Sequence, residues 1–275
     1  MKEKSFTKRK AGTAMNLLTA TPAEVRALIR REEITGPTAG MCGGYAQANL
    51  VILPERYAKD FEAFTVKNPK PCPVLEITKP GDPGIREIAQ ADLRTDLPRY
   101  FVYRNGIRTE ECLNITELWQ DDFVGFLIGC SFSFEEALLQ AGIEIRHISM
   151  NRNVPMYKTN LPTQGVGVFH GPTVVSMRPM TPANAKRAAE ITARFPRVHG
   201  GPIQIGHPQQ IGITDLQKPD YGQPVDIHED EIPVFWACGV TPQAVIEQAK
   251  LPLVITHAPG HMFITDKLNS EFASK

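Results

Sequence analysis

The sequence lacks the short signatures of the common cofactor and metal enzymes. There is no GxGxxG or GxxxxGK[ST] spacing for a nucleotide and no HExxH for zinc. Net charge is also missing: thirty Lys and Arg balance thirty Asp and Glu. That balance leaves no electrostatic footprint for nucleic acid and no polybasic hold on a membrane surface. No stretch approaches the roughly 18 consecutive apolar residues of a membrane span. The five cysteines, Cys42, Cys72, Cys112, Cys130 and Cys238, form no CxxC and no disulfide framework. Free thiols in a reducing compartment fit best, so a cytoplasmic protein is expected. The opening MKEKSFTKRKAGTAMNLL is basic but has no apolar segment long enough for secretion, and it reads as a frayed terminus rather than a mitochondrial presequence.

Turn formers are abundant instead, with 21 glycines and 23 prolines in 275 residues, which suits a site assembled from loops. Three helices announce themselves by their caps. TPAEVRALIRREEI (21–34) has Thr21 as cap, Pro22 at the first position and Glu24 closing a capping box. TPANAKRAAEITARF (181–195) repeats the Thr-Pro start, and Ser133 with Glu136 predicts a helix from about Phe134 to Gly142. A further helix is expected over 54–66, where Tyr57, Phe61 and Phe64 share a face. PVLEI (73–77) reads as a buried strand, and the Asn-Gly within RYFVYRNGIRTEE (99–111) predicts a hairpin. Near the end, IPVFWACGVTPQAVIEQAK followed by LPLVIT reads as strand, helix, strand, which implies a parallel crossover.

Four segments could carry chemistry. In VFWACGVTPQ a strand ends at Cys238 and a helix starts at Thr241-Pro242, so the amides of Gly239, Val240 and Thr241 could hold a carboxylate. A merely structural corner is the plainer alternative. GCSFSFEEAL repeats the plan, with Cys130 and with Ser131 free to meet a ligand. Cys130 as a nucleophile has no histidine partner nearby in the chain, and packing is the simpler role. TAGMCGGYAQAN (38–49) is a small-residue loop, with Gln47 and Asn49 offering neutral donors and acceptors, or else a connector with a short helix after it. In THAPGHMFITD, His257 and His261 stand four apart, but Pro259 and Gly260 prevent a helix and make a turn. His257 at the strand end could move protons at neutral pH, with Asp266 or His261 orienting it. A fifth cluster, VHGGPIQIGHP (198–208), could close over the site or form an interdomain corner, the latter being slightly favoured.

Taken together, GMCGGYAQANL, IGCSFSFEEAL, GPTVVSMRPM, PVFWACGVTPQ and ITHAPGHMFITD resemble a bacterial hydro-lyase family that is similar to part of vertebrate mitochondrial D-glutamate cyclase. The resemblance spans roughly residues 16–267. It implies an α/β fold in which a three-layer α/β domain, built from both chain ends (1–128 and 206–275), carries a smaller inserted α+β domain (129–205). It also implies loss of water from a small amino or hydroxy acid, as when D-glutamate closes to 5-oxo-D-proline. The site expected from the residues needs no cofactor and no metal. Amides at Gly239–Thr241, assisted by Cys238, Cys130, Gln47, Asn49 and His261, bind a small carboxylate-bearing substrate. His257 shuttles the proton and Ser131 steadies developing negative charge. One alternative is a metal-assisted hydrolase or dehydratase with His257, His261 and Asp266 as ligands. Another is a non-catalytic binding subunit in amino-acid catabolism. A homodimer is expected only because that symmetry is common.

Overall fold

The computed structural model describes residues 16–274; of the expected frayed terminus at 1–18, residues 1–15 lie outside them. The first half of the chain runs α1 (Pro22–Arg30), β1 (Tyr45–Pro54), α2 (Glu55–Lys67), β2 (Val74–Ile77), β3 (Gly84–Ile85), β4 (Ala91–Asp92), β5 (Tyr100–Arg104), β6 (Ile107–Cys112) and β7 (Phe123–Gly129). There follow α3 (Phe132–Gln140), α4 (Arg146–Ser149), β8 (Met156–Pro162), β9 (Pro172–Met180), α5 (Pro182–Ala193) and β10 (Gln204–Ile205). The chain ends with β11 (Ile232–Ala237), α6 (Thr241–Ala249), β12 (Val254–His257) and β13 (Phe263–Leu268). It is an α/β protein with a seven-stranded sheet, ordered β2-β7-β1-β12-β5-β6 with β13 also on β1, and a four-stranded sheet, β10-β11-β9-β8.

Strand β1 organises the larger sheet. Sequence alone reads its first residues as loop, because Gln47 and Asn49 interrupt the apolar pattern. Yet every residue from Ala46 to Pro54 is buried. Ala48, Leu50 and Ile52 enter one core, shared with Trp236 and Met180 of the smaller sheet. Val51 and Leu53 enter the opposite core under α2 and α6. A strand covered on both faces shows a run rather than an alternation, which weakens its sequence signal.

The expected parallel crossover is overturned. Strand β11 pairs with β9 and β10 in the smaller sheet, whereas β12 pairs with β1 and β5 in the larger one, and each of these pairings is antiparallel. Helix α6 thus connects two sheets instead of bridging strands of one. Local pattern reveals a strand–helix–strand order but not which partner each strand finds.

Elements specified by their own neighbours appear as expected. Thr21 and Glu24 form their reciprocal box on α1, and Thr181 caps α5. The hairpin turns at Asn105 (φ 50°) and Gly106 (φ 79°). A Cβ on Gly106 would sit 2.3 Å from the Glu247 carbonyl oxygen. Gly106→Ala is therefore expected to cost about 2 kcal/mol or more, read as a lowered urea midpoint. An unchanged midpoint would show that the turn relaxes freely.

Candidate active site

The site forms where β7 ends. Gly129 lets the backbone of 197–198 approach closely, for a Cβ there would meet the Arg197 carbonyl oxygen at 2.3 Å. The chain then turns through Cys130 and Ser131 into α3. The expected Ser133–Glu136 box does not form: α3 begins at Phe132, and no side chain caps it. Ser133 instead accepts from the Gln47 amide at 3.1 Å, joining α3 to β1. A hydroxyl adjoining a strand edge can serve that long-range amide as well as its own helix, and only the tertiary fold decides between them.

Helix α3 presents Glu135 to β9, where Arg178 is the one charged residue of the strand; both are buried. Arg178 Nε donates to Glu135 Oε1 at 2.9 Å, and Nη2 donates to the same oxygen. Nη1 donates to Ser176 at 3.0 Å and Nη2 to Ser131 at 3.1 Å. The guanidinium lies over the rings of Phe134 and Trp236, at 5.3 and 5.4 Å. The two rings also touch each other, 5.7 Å apart between centroids, and contact with such an aromatic pair suits a planar, weakly hydrated cation. From α4, His147 Nε2 comes within 3.3 Å of Glu135 Oε1, yet neither ring nitrogen has a hydrogen-bond partner among the described residues. Burial pushes the Glu135 carboxyl up, but the neighbouring His147 and Arg178 outweigh it and hold its pKa below the ordinary value. All these contacts fall on Oε1, which leaves Oε2 for a ligand.

A cavity of about 130 Å³ opens beside it, lined among others by Gly40, Gly44, Gln47, Phe132, Glu135 and Glu136. Its roof is the glycine loop read from the sequence. Gln47 clamps that loop: its Oε1 accepts from Thr38 Oγ1 at 2.7 Å, and its Nε2 donates to the Thr38 carbonyl at 3.0 Å. Thr38 also receives the Met262 amide at 3.0 Å, which ties the loop to the THAPGH turn. The volume suits a small metabolite, far below the roughly 300–1,000 Å³ of drug-sized clefts.

Of the residues expected to bind substrate, Gln47 lines this cavity; Asn49, Cys130, Cys238, Gly239, Val240, Thr241 and His261 do not. Asn49 donates to the Gly129 carbonyl at 2.8 Å and lies so near Gly239 that a Cβ there would come 1.9 Å from its Nδ2. Thr241 accepts from the Val174 amide at 3.0 Å and donates to the Cys238 carbonyl at 2.8 Å, so its hydroxyl locks α6 to β9. Burial pushes the Cys130 thiol well up and Cys238 to about 11, so neither is a thiolate at neutral pH. Ser131 belongs to the Arg178 network.

The THAPGH segment is a turn, as expected. His257 closes β12, and its Nδ1 accepts from the Leu50 amide at 3.1 Å. The ring thereby fills the gap where the edge of β1 changes partner from β12 to β13. Its Nε2 is buried and unpartnered among the described residues. His261 turns back to the Pro259 carbonyl, 3.1 Å from its Nδ1. Asp266 is held by Arg26 at 2.8 and 3.0 Å and accepts from the Gln90 amide at 3.1 Å; it bonds to neither histidine. The three do not form a ligand set, and among the described residues no group of three or more His, Cys, Asp or Glu side chains is placed to hold a metal.

Burial holds His257 and His199 down to about 4. Both stay neutral when folded, whereas unfolded they would protonate near 6.5. Their contribution is thus fully present above about pH 6.5 and is lost as pH falls through 4. Each is worth on the order of 3 kcal/mol at the acid limit. Thermal unfolding midpoints should fall steeply over that window, less so in His257→Gln; an identical fall would assign the acid sensitivity elsewhere.

Glu135, His147 and Arg178 were not singled out by sequence reasoning. A faint signal existed: an arginine inside GPTVVSMRPM, where every other residue suits burial, demands a buried counter-charge. Its partner is 43 residues away in the chain, beyond any local pattern.

Comparison with known proteins places the chain. The D-glutamate cyclase family profile matches residues 124–266, which contain Glu135, His147 and Arg178. "Putative hydro-lyase YcsI" of Bacillus subtilis is 61% identical over 89% of this chain and 96% of its own length. Proteins named "Putative hydro-lyase" from Rubrobacter xylanophilus and Stutzerimonas stutzeri are each 57% identical, covering 91% and 90% of this chain and 97% and 93% of theirs. At that coverage the likeness to these relatives extends well beyond the profile's segment. The chain therefore belongs to the D-glutamate cyclase family.

Proposed function

We propose that the protein is a hydro-lyase that closes D-glutamate to 5-oxo-D-proline, with Glu135 as its proton-transfer group. The observation that carries this reading is a buried carboxylate that lines a small cavity, its Oε1 accepting from Arg178 and its Oε2 without a hydrogen-bond partner among the described residues. Cyclisation forms the bond from the amine nitrogen to the side-chain carboxyl carbon and breaks one C–O bond of that carboxyl. Two protons leave nitrogen and two depart with oxygen as water, so no net proton is exchanged with solvent. Glu135, held ionised, takes a proton from the ammonium and returns it to the departing oxygen, then repeats the transfer. Arg178 and His147 do not line the cavity; they position Glu135 and set its basicity. The amides of Gly40 and Gly44 take no acceptor among the described residues and are available to a carboxylate. Five free cysteines accord with a reducing, cytoplasmic setting, and no helix among the described residues is long and apolar enough to cross a membrane.

Proton NMR of the protein with D-glutamate, L-glutamate or 5-oxoproline tests this directly. New 5-oxoproline from D-glutamate alone is expected. Spectra that never change would remove glutamate as the substrate.

A further inference from the structure

The 130 Å³ cavity does not end at Glu135. It shares Gly44, Glu136 and Asn269 with a second cavity of about 280 Å³, which also reaches Ser133, Gln140 and Ser270. The two adjoin, and Glu136 and Asn269 line both. We propose that Glu136 and Asn269 form the subsite that recognises the substrate's ammonium group, making the enzyme select amino acids over the corresponding dicarboxylates. This rests on the reading of Glu135 as the proton-transfer group.

Three observations support the subsite. First, Glu136 has no cationic partner: its Oε2 accepts from Asn269 Nδ2 at 2.9 Å and its Oε1 from Gln140 Nε2 at 3.2 Å, with no ion pair among the described residues. Two neutral donors fix the carboxylate without neutralising it, and each oxygen retains a lone pair for a further donor. Second, Asn269 is 8% exposed and its Oδ1 has no hydrogen-bond partner among the described residues. A buried amide acceptor lacking a donor is costly, and a ligand N–H removes the cost. Third, Gly44 (φ 89°) brings bare backbone to the carboxylate: a Cβ there would lie 3.8 Å from both Glu136 oxygens.

An ammonium has three protons; Glu136 and Asn269 Oδ1 supply acceptors at the junction, and the smaller cavity is also lined by Glu135. The last is the group that must take the proton before nitrogen can attack. Cyclisation leaves a neutral amide with a single N–H, so the same subsite that gathers the substrate loses its hold on the product. Specificity and product release then follow from one charge.

The test compares D-glutamate with glutarate, which has both carboxylates and no amine. In wild-type protein, KM for D-glutamate and the competitive inhibition constant for glutarate are measured, then repeated in Glu136→Gln and Asn269→Ala, with thermal unfolding as the folding control. Glu136→Gln should raise KM for D-glutamate about 10-fold or more, with the effect on KM exceeding that on kcat, and shift the glutarate constant less than about twofold. Asn269→Ala should act in the same direction by a few-fold. Equal weakening of both ligands, or of neither, in folded variants overturns the subsite while leaving Glu135 in place. A wild-type protein that neither converts nor binds D-glutamate overturns the cyclase reading, and the subsite with it.

Discussion

Glu135→Gln is expected to lower turnover of D-glutamate about 10²–10⁴-fold, the usual contribution of a positioned proton-transfer group. The amide keeps the shape and a carbonyl oxygen for Arg178 but cannot take a proton from nitrogen. It also leaves the guanidinium facing a neutral group, so a lower unfolding temperature should accompany the loss, and circular dichroism must show folded protein before activity is compared. His257→Ala is the discriminating partner. The ring of His257 receives the Leu50 amide in a gap of the sheet, so its removal should be felt in stability more than in turnover. A fully active Glu135→Gln beside an inactive, folded His257→Ala would move the chemistry to the THAPGH turn. The acid limb of the rate profile follows from the sign of the shift. Glu135 lies below its ordinary pKa, so activity should hold through mildly acidic pH and fall only when that carboxylate protonates.

Arg178→Met is expected to be the most damaging substitution for stability. It strips the main counter-charge from a carboxylate that has 4% of its side chain exposed. Breaking a buried ion pair by removing one partner costs about 3–5 kcal/mol, because the other charge is left in a medium that cannot solvate it. For a chain of this size that corresponds to a midpoint lowered by roughly 10 °C. The double variant Glu135→Met with Arg178→Met should recover much of the loss while remaining inactive, since two apolar side chains can pack beside the Phe134 and Trp236 rings. A double variant as unstable as Arg178→Met alone would show that packing around the guanidinium, and not the unpaired charge, is what matters. Arg178→Lys should rescue little, for one ammonium cannot bond Glu135, Ser131 and Ser176 at once.

Much of the fold was readable because its determinants are neighbours in the chain. Thr21, Pro22 and Glu24 specify the start of α1 within four residues, and Asn105-Gly106 specify the hairpin within two. The turn in THAPGH follows from Pro259 and Gly260 alone. Sheet membership was not readable in the same way. Strands β11 and β12 look alike in composition, and the choice between pairing β9 and pairing β1 is made by hydrogen bonds to residues more than fifty positions away.

The candidate site divides along the same line. The loops that shape it were visible as glycine-rich interruptions, and the neutral composition and missing signatures pointed to a small-molecule site without a nucleotide fingerprint. Which side chains those loops serve was not visible. Thr241 looked like a ligand-binding hydroxyl because a helix starts there, but Val174 of β9 claims it. His257 looked like the proton shuttle because it ends a strand, but the Leu50 amide occupies its Nδ1. By itself the sequence determined the helices capped by Thr21 and Thr181, the turns and the family; the tertiary structure alone decided that Glu135 meets Arg178 and His147 beside a cavity. The physical reason is that caps and turns are satisfied by groups a few bonds apart. A buried charge must find its partner across the fold, at a register that only the assembled sheets and helices impose.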